Sequence, residues 1–280
     1  MVDIIKSTGE RETFDKQKLF RSLKKAGAPK ALVDEICETI VRDIVPNTSS
    51  EKIYKKALGF LIKHNTSTAA RYSIKQGIAE LGPAGFLFEQ YVERLLQALG
   101  YKTERNQYVQ GSCLKHEVDV MGIKDDENVL VEVKYRNDRS TKTHVDVVMY
   151  AWARLYDINQ AQISNVKSKK SKVYNMWLVT NTKFTTQCIK YAKCKGLGLI
   201  GWNYPIKNGL EELVERYALY PVTVLPAVDS YTREKLASAD LMLVQDIVPK
   251  DFNYLTKKLA LNPKTAESII KQSQELIYGQ

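Results

Sequence analysis

The sequence predicts an α/β protein in which helices flank a central mixed sheet, with mainly helical segments before and after it. Between about residues 84 and 204, helical spacing of apolar residues alternates with short β-rich runs, which is typical of a sheet covered by helices. Residues 1–82 show one hairpin followed by three or four helices. Residues 206–222 read as a connector, and residues 223–280 carry helical patterns without strand signals.

The first predicted domain, residues 1–82, begins with a hairpin formed by Val2 to Lys6 and Arg11 to Phe14. Asp15 is placed to cap the first helix, and Thr66 or Ser67 the fourth. The polar run at 46–50 is expected to break the chain before the third helix. The apolar faces of the first three helices are marked by Leu19, Phe20 and Leu23, by Leu32, Ile36, Ile40 and Ile44, and by Ile53, Ala57, Leu58 and Leu61.

The second predicted domain, residues 83–205, begins where Gly82 and Pro83 interrupt the helical pattern. Its helices are expected at 84–100, 145–157 and 185–194, and its strands at 116–123, 129–135, 173–180 and 197–202. The last segment, 223–280, is expected to form four or five short helices in a unit of its own.

Composition excludes several classes of protein. The 280 residues are 44% hydrophobic and 26% charged, as in globular proteins with substantial cores. No apolar run reaches 18 residues, so no membrane span or membrane partner is expected. The four cysteines form no C-x-x-C pair and only three histidines accompany them, which argues against zinc. The first residues lack a signal-peptide pattern, so we expect a cytoplasmic protein.

The net charge of +10 comes from 42 Lys and Arg against 32 Asp and Glu. Such an excess suits a polyanionic partner, because neutralised phosphates release their counterions. A basic protein without such a partner explains the charge equally well.

Two predicted strands carry charged residues among valines. In the strand 129–135, Glu132 and Lys134 share one face, opposite to Val131 and Val133. A hairpin folded symmetrically about Asp125 and Asp126 sets Asp119 opposite Glu132, because each is equally far from the turn. Opposed residues have Cβ atoms roughly 4.5–5.5 Å apart, and two like charges there destabilise a sheet.

A divalent cation between Asp119 and Glu132 removes that repulsion. Carboxylate oxygens suit Mg²⁺ or Mn²⁺. Lys134 is then placed to orient the attacking water and to stabilise charge on a phosphate. Glu89, at the border of the apolar face of the helix 84–100, is a fourth candidate. The alternative is a hairpin whose charged face is simply solvated.

The region from Gly85 to Tyr204 resembles the Mrr-type restriction endonucleases of the PD-(D/E)XK superfamily. The matching stretches are Phe88-Glu89, His116-Glu117-Val118-Asp119-Val120, Val131-Glu132-Val133-Lys134, Leu178 to Thr185, and Gly198 to Trp202. The resemblance implies a restriction-endonuclease-like fold, metal binding by Asp119 and Glu132, action of Lys134 on the water, and an accessory role for Glu89. Val133 is counted with the metal-binding residues. Many Mrr-type enzymes carry Gln where this chain has Glu132.

Lys6, Gly9, Glu12, Asp15 and Lys18 recur through the N-terminal hairpin and first helix. Lysines around a glycine turn suit phosphates, and nearby acids suit a ribose hydroxyl or a base amine. A solvated charged face explains the same residues.

Residues 2–80 also resemble an ATP-cone, the regulatory module of ribonucleotide reductases. The matching residues are Ile5-Lys6, Gly9, Glu12, Phe14-Asp15, Lys18-Leu19 and Ala70-Arg71-Tyr72. The resemblance implies that ATP or dATP binds without being hydrolysed and controls the nuclease. Ser7 replaces the usual basic residue after Lys6, and Thr8 is the neighbour of the glycine turn, so a purely structural cone is the alternative.

Other candidates for DNA contact are isolated. Leu261 to Ile270 resembles the second half of a helix-hairpin-helix, with Lys264 as its lysine and Asn262 and Pro263 where glycines are usual; a packing or dimerisation unit fits as well. Lys169 and Lys170 lie in a basic run, and His116 precedes the candidate metal strand. For Lys169, Lys170 and His116, the alternative is that they are solvated surface residues.

The sequence therefore predicts a Mg²⁺- or Mn²⁺-dependent DNA endonuclease, related to restriction or defence and regulated by an adenine nucleotide. Its expected partners are DNA and that nucleotide, with a second copy of the chain as a further candidate. Two alternatives remain open at this point. One is a DNA-binding nucleotide sensor that does not cut, and the other is a nuclease specific for RNA or for branched structures.

Overall fold

The computed structural model describes residues 2–6, 9–81, 86–138, 140–164 and 173–279. The chain divides into two compact units. The outer unit combines Met1–Glu80 with Tyr220–Gln280, and the central unit is Leu81–Leu219. No helix among the described residues is long and apolar enough to span a membrane.

The outer unit opens with the expected hairpin. Strands β1 (Asp3–Ile5) and β2 (Arg11–Thr13) pair antiparallel, with Ile4 opposite Glu12. A third strand, β3 (Thr48–Ser49), pairs parallel to β1, although the sequence predicted only a chain break there. Two residues carry too little periodicity to be recognised, because only the backbone pairing with β1 defines this strand.

Five helices follow in this unit. They are α1 (Lys16–Lys25), α2 (Lys30–Asp43), α3 (Ser50–His64), α4 (Thr66–Tyr72) and α5 (Ile74–Ala79). The Asp15 side chain accepts hydrogen bonds from Gln17 N and Lys18 N, so the predicted cap of α1 is confirmed. The predicted cap of α4 was wrong: Asn65, one residue earlier, accepts from Thr68 N.

The central unit is built on a five-stranded mixed sheet of order β4-β5-β6-β7-β8. The strands are β4 (Lys102–Gln110), β5 (Lys115–Lys124), β6 (Glu127–Lys134), β7 (Tyr174–Thr180) and β8 (Gly198–Ile200). The first three pair antiparallel, and the last three pair parallel. The sequence missed β4, because most of its residues are polar and it lies at an edge of the sheet.

The central unit contains the three predicted helices and a fourth within the segment that the sequence predicted as a connector. They are α6 (Phe86–Ala98), α7 (Val145–Ser164), α8 (Thr186–Lys195) and α9 (Leu210–Arg216). A Cβ on Gly122 would touch Val129 and Leu96, so α6 covers the face that carries Val129. Leu130 instead packs in one cluster with Val148 of α7. Glu132 and Lys134 share the parity of Leu130, so they lie on the α7 side of the sheet.

The chain then returns to the outer unit. This part contains a 3₁₀ turn at Val222–Val224, α10 (Ser230–Ser238), α11 (Val244–Ile247), a π-helical turn at Tyr254–Lys258 and α12 (Pro263–Tyr278). Thr223 Oγ1 donates to the carbonyl of Gly77 at 2.7 Å, and Arg233 Nη1 donates to that of Glu80 at 3.2 Å. The C-terminal helices therefore share a compact unit with the N-terminal segment, a pairing that local sequence does not reveal.

Candidate functional site

The hairpin of β5 and β6 has the register that the sequence predicted. Lys124 pairs with Glu127 and Val120 with Val131, around a turn in which Asp125 adopts a positive φ of 51°. The regular pairing ends there, and Asp119 and Glu132 are the next residues on the two strands, close enough for the charge of Asp119 to raise the pKa of Glu132. The two carboxylates therefore come from neighbouring strands, at the end of the ladder that is remote from the turn.

The Asp119 carboxylate is turned toward the neighbouring strand. Its Oδ2 atom accepts a hydrogen bond from Val133 N at 2.6 Å. Burial raises the pKa of Asp119 above its usual range, and the Val133 N–H and the positive charge of Arg154 offset part of that rise. Asp119 is thus a largely desolvated carboxylate held in place by one backbone donor.

Glu132 pairs with Arg154 of α7, a contact that the sequence analysis missed. The two side chains are only 15% and 10% exposed. Burial raises the pKa of Glu132, the charge of Asp119 raises it further, and Arg154 and Lys134 offset part of the rise. Arg154 lies three residues after the buried Ala151 and four before the buried Ile158. An arginine on the apolar stripe of a helix was the available signal, because such a charge needs a buried partner.

Lys134 follows on the same face, and its backbone is fixed by the adjoining strand. Thr180 Oγ1 donates to the Lys134 carbonyl at 2.7 Å. The Asn181 side chain accepts from Arg136 N at 2.8 Å and donates to the Arg136 carbonyl at 2.9 Å, which extends the pairing of β6 with β7 beyond the regular ladder. The positive charge of Lys134 lowers the pKa values of both Asp119 and Glu132, so its ammonium group lies within electrostatic reach of them.

Glu89 joins the same electrostatic group from α6. It is partly buried, and burial raises its pKa. The negative charge of Asp119 adds to that rise and the positive charge of Arg105 opposes it. Asp119 and Glu132 therefore interact through charge with each other and with Lys134, and Glu89 interacts through charge with Asp119.

An open cleft of about 730 Å³ leads to the two opposed carboxylates. Its lining includes Asp119, Glu132, Leu114, Lys115, Tyr150 and Tyr156. The cleft is bounded by β5, by the loop before it and by α7. A substrate in the cleft would meet the carboxylates from the α7 side of the sheet.

His116 also lines the cleft but is engaged by α7. Its Nε2 atom lies 2.7 Å from Asp157 Oδ2, and the histidine side chain is only 12% exposed. Asp157 also accepts from Cys113 N at 2.8 Å and Leu114 N at 3.2 Å. The His116 hydrogen bond, with these backbone donors, lowers the pKa of Asp157 to about 2. His116 thus helps to hold the loop that forms one wall of the cleft.

Three candidate DNA contacts remain. Lys169 and Lys170 fall outside the described residues. Lys264 is exposed in the first turn of α12, where its N–H donates to the Asn262 side chain at 2.9 Å. Asn262 therefore acts as a helix cap at the position where the helix-hairpin-helix resemblance expects a glycine.

In the outer unit, the hairpin gathers most of the predicted nucleotide-binding residues. Lys6 and Lys18 both form ion pairs with Glu12, and these partners lower the pKa of Glu12, Lys18 first. Gly9 adopts a positive φ of 81° at the turn, which favours glycine, and a Cβ there would touch nothing. Asp15 is engaged in capping α1. Two lysines and one acid therefore converge beside an open glycine turn.

The opposed carboxylates of the central unit fit a hard divalent cation. Among the described residues, no three His, Cys, Asp or Glu side chains form a ready-made metal cluster. The available donors are two carboxylates with raised pKa values, and carboxylate oxygens suit Mg²⁺ or Mn²⁺. In this structure Glu132 is neutralised by its ion pair with Arg154, and Asp119 accepts a hydrogen bond from Val133 N.

Comparison with known proteins assigns each part of the chain. Residues 2–76 match the model of the ATP cone domain, residues 83–202 that of a restriction endonuclease domain (Mrr-type catalytic), and residues 220–277 that of the AF1548-like C-terminal domain. An uncharacterised protein of Archaeoglobus fulgidus is 34% identical over 184 residues, which cover 66% of this chain and 98% of that protein. The chain belongs to the AF1548-like family.

A solved structure agrees with this assignment. The crystal structure of the protein of unknown function AF1548 is 33% identical and superposes with a TM-score of 0.56, covering 70% of this chain and 99% of that one. This AF1548-like protein is thus an ATP-cone domain joined to an Mrr-like restriction endonuclease domain of the PD-(D/E)XK superfamily. The predicted fold class is confirmed, and so are the resemblances to an ATP-cone and to an Mrr-type restriction endonuclease. The central unit is a restriction-endonuclease-like nuclease domain.

Proposed function

We propose that this AF1548-like protein is a divalent-metal-dependent endonuclease that hydrolyses phosphodiester bonds of DNA, in restriction or defence, under control of an adenine nucleotide. One observation carries the proposal. Asp119 and Glu132 lie close together at the end of the β5–β6 ladder as desolvated carboxylates that both open into one cleft, and Lys134 follows on the face of Glu132. A solvated surface hairpin would leave such carboxylates exposed and their pKa values near the usual range.

The carboxylates of Asp119 and Glu132 and the carbonyl of Val133 would hold the metal. Bound there, Mg²⁺ or Mn²⁺ supplies a Lewis acid for the phosphate and lowers the pKa of water. Burial of the two carboxylates strengthens their attraction for a cation, because the local dielectric is low. Their mutual repulsion, visible as the effect of Asp119 on the pKa of Glu132, favours any cation that enters between them.

The neighbouring side chains take distinct roles. The Lys134 ammonium would orient the attacking water and stabilise negative charge on a phosphate oxygen, because it lies within electrostatic reach of both carboxylates. Thr180 fixes the backbone of Lys134. Arg154 holds Glu132 on the cleft side of the sheet. Glu89, whose pKa is raised by burial, is suited to exchange a proton with water at the edge of the site. Hydrolysis adds the water oxygen to phosphorus and releases one sugar hydroxyl.

Net charge and the cone complete the proposal. The charge of +10 favours a polyanion such as DNA, whose phosphates approach through the cleft. In the cone, the ion pairs of Lys6 and Lys18 with Glu12 are partly exposed, with the two lysines 41% and 63% exposed. Exposed pairs contribute little to stability, so these lysines are available to turn from Glu12 to a nucleotide phosphate at little cost.

Nicking of supercoiled plasmid tests the nuclease. Wild-type protein should nick in Mg²⁺ or Mn²⁺ and not in EDTA. Asp119→Asn and Lys134→Ala should each slow nicking by about a hundredfold or more, the size of losing one catalytic charge or donor. Lys183→Ala, an exposed lysine in the same unit, is the matched control and should cut like wild type. Binding without cutting, on unmodified, methylated and branched DNA with either metal, would refute the enzyme.

Calorimetric titration with ATP and dATP tests the cone. The Lys6→Ala and Lys18→Ala variants should lose nucleotide binding, because each removes one of the two converging positive charges. Lys24→Ala, a lysine in the last turn of α1, is the matched control. Nicking rates with and without saturating nucleotide then measure regulation. Absence of binding by the wild-type protein at millimolar ATP and dATP would leave the cone without a ligand.

A further inference from the structure

Two exposed tyrosines line the cleft beside the carboxylates. Tyr150 is 61% exposed and Tyr156 is 55% exposed, and both lie on α7. Large aromatic side chains usually bury much of their surface, and exposed ones concentrate where something binds. Their position in the cleft that holds Asp119 and Glu132 makes them part of its substrate-facing surface.

Positive charge contacts the Tyr150 ring, whereas one face of the Tyr156 ring stacks on Trp152, with the ring centres 5.5 Å apart. The Arg154 guanidinium lies 5.5 Å from the centre of the Tyr150 ring and also pairs with Glu132. The exposed Lys115 lines the same cleft. Ring, guanidinium and carboxylate are therefore in consecutive contact. A group stacked on Tyr150 would be held at a fixed distance from the carboxylate face.

This combination matches the chemistry of an unpaired nucleic-acid strand. An unpaired base has a flat apolar face that is free to stack on an aromatic ring, and the phosphates beside it are negatively charged. In an intact duplex, the bases are already stacked on each other and the phosphates face outward. Rings at the wall of a cleft reach bases only where pairing has been lost.

We propose that Tyr150 and Tyr156 form a stacking platform for unpaired bases, so that the substrate class is DNA that is single-stranded or locally unpaired near the cut. This proposal rests on the nuclease function proposed for the same cleft. It specifies whether the DNA is paired or unpaired. The metal-binding carboxylates leave this undefined, because the phosphodiester group is the same in both forms.

A second copy of the chain is the rival occupant of these rings. The core of an interface between copies is usually depleted of charged residues. Here the same cleft is lined by two basic and four acidic side chains: Lys115, Arg154, Glu117, Asp119, Glu132 and Asp157. So much charge disfavours a protein interface, whereas the phosphates of a DNA strand would be offset by Lys115 and by the divalent cation of the proposed nuclease site.

Fluorescence anisotropy tests the platform in an Asp119→Asn background, in which DNA is not cut. The probes are one labelled single-stranded oligonucleotide and the blunt duplex of the same sequence. Tyr150→Ala and Tyr156→Ala should each weaken single-strand binding about tenfold, as expected for losing one stacked base. The ratio of single-strand to duplex affinity should fall with it. Tyr150→Phe keeps the ring and should restore the ratio.

Met149→Ala is the matched control. Met149 is 47% exposed on the same helix but does not line the cleft, so its loss should leave the affinity ratio unchanged. Equal losses on single strand and duplex would overturn the platform. A change of Tyr150→Ala from dimer to monomer in light scattering would also overturn it, in favour of an interface between copies.

Nicking by the protein with both tyrosines intact separates this proposal from the nuclease itself. If that protein cuts DNA and the alanine variants bind both probes like their parent, the platform fails alone. If the affinity ratio depends on the rings and the protein cuts no DNA, the stacking surface stands and the nuclease function fails.

Discussion

Replacing Arg154 by methionine tests whether Glu132 is a buried carboxylate that needs a positive partner and can bind a divalent cation in its place. Methionine keeps the apolar length of the arginine stem and removes the guanidinium. Glu132 then stays 15% exposed without its ion-pair partner, next to the charge of Asp119. Removing one partner of a buried ion pair costs 3–5 kcal/mol, so with this residual exposure we expect about 3 kcal/mol in EDTA.

Tryptophan fluorescence is the appropriate assay. All three tryptophans of the chain, Trp152, Trp177 and Trp202, belong to the central unit, so their signal reports on the unfolding of that unit. At about 4 °C per kcal/mol for a unit of this size, the midpoint of Arg154→Met should fall by about 12 °C in EDTA.

Metal should restore part of that loss. A divalent cation beside Glu132 supplies the charge that Arg154 supplied, and a ligand at a hundred times its Kd adds about 2.7 kcal/mol. Saturating Mg²⁺ or Mn²⁺ should therefore raise the midpoint of Arg154→Met more than that of the wild type. Arg216→Met is the control, because Arg216 is exposed and donates to two neutral groups, the Asn208 side chain and the Lys207 carbonyl. It should lose under about 1 kcal/mol.

Two outcomes would refute this reasoning. A loss below about 1 kcal/mol in EDTA would mean that Glu132 is well solvated without Arg154. An equal loss with and without metal would mean that the cation and Arg154 do not share Glu132, and the assignment of Glu132 as a metal ligand would fail.

Two further predictions concern Asp119 and Gly77. Because burial raises the pKa of Asp119 in the folded state, the folded protein binds this proton more tightly than the unfolded chain, and stability falls as pH rises from the usual carboxyl range through the raised pKa. In EDTA at pH 8, the free energy of unfolding of Asp119→Asn, measured with urea, should therefore exceed that of wild type by on the order of 1 kcal/mol. This gain should vanish at acid pH. A less stable variant at pH 8 would contradict the raised pKa. Gly77→Ala would bring a Cβ to 2.6 Å from Val224 Cγ1. The free energy of unfolding of the outer unit should therefore fall by about 1–3 kcal/mol. Circular dichroism measures this loss, and the tryptophan fluorescence of the central unit serves as the internal reference. An unchanged transition would show that the segment around Val224 does not pack on α5.

Sequence periodicity predicted most of the central unit because each signal is local. Strand parity and the symmetric turn predicted that Asp119 and Glu132 come together, and the observed register confirms the hairpin as far as Val120 and Val131, one residue short of that pair. The strand β4 escaped detection because its residues are mostly polar. Two-residue β3 escaped because a strand that short has no period to read.

The partner of Glu132 depended on tertiary structure. Arg154 lies 22 positions away along the chain, on a helix whose orientation over the sheet the sequence does not specify. The same holds for Asn181, whose side chain extends the strand pairing beyond Lys134. Such contacts follow from the docking of α7 and β7 on β6, and no spacing rule within one segment predicts them.

The charged hairpin, its valine faces and its carboxylate pair were thus determined by the sequence alone, because neighbouring residues on a strand alternate sides whatever surrounds them. Only the tertiary structure showed that α7 brings Arg154 and the exposed rings of Tyr150 and Tyr156 to that hairpin. Only the tertiary structure likewise joined residues 220–280 to the N-terminal segment. Both results depend on packing between elements far apart in the chain, where burial of complementary surfaces outweighs any local preference.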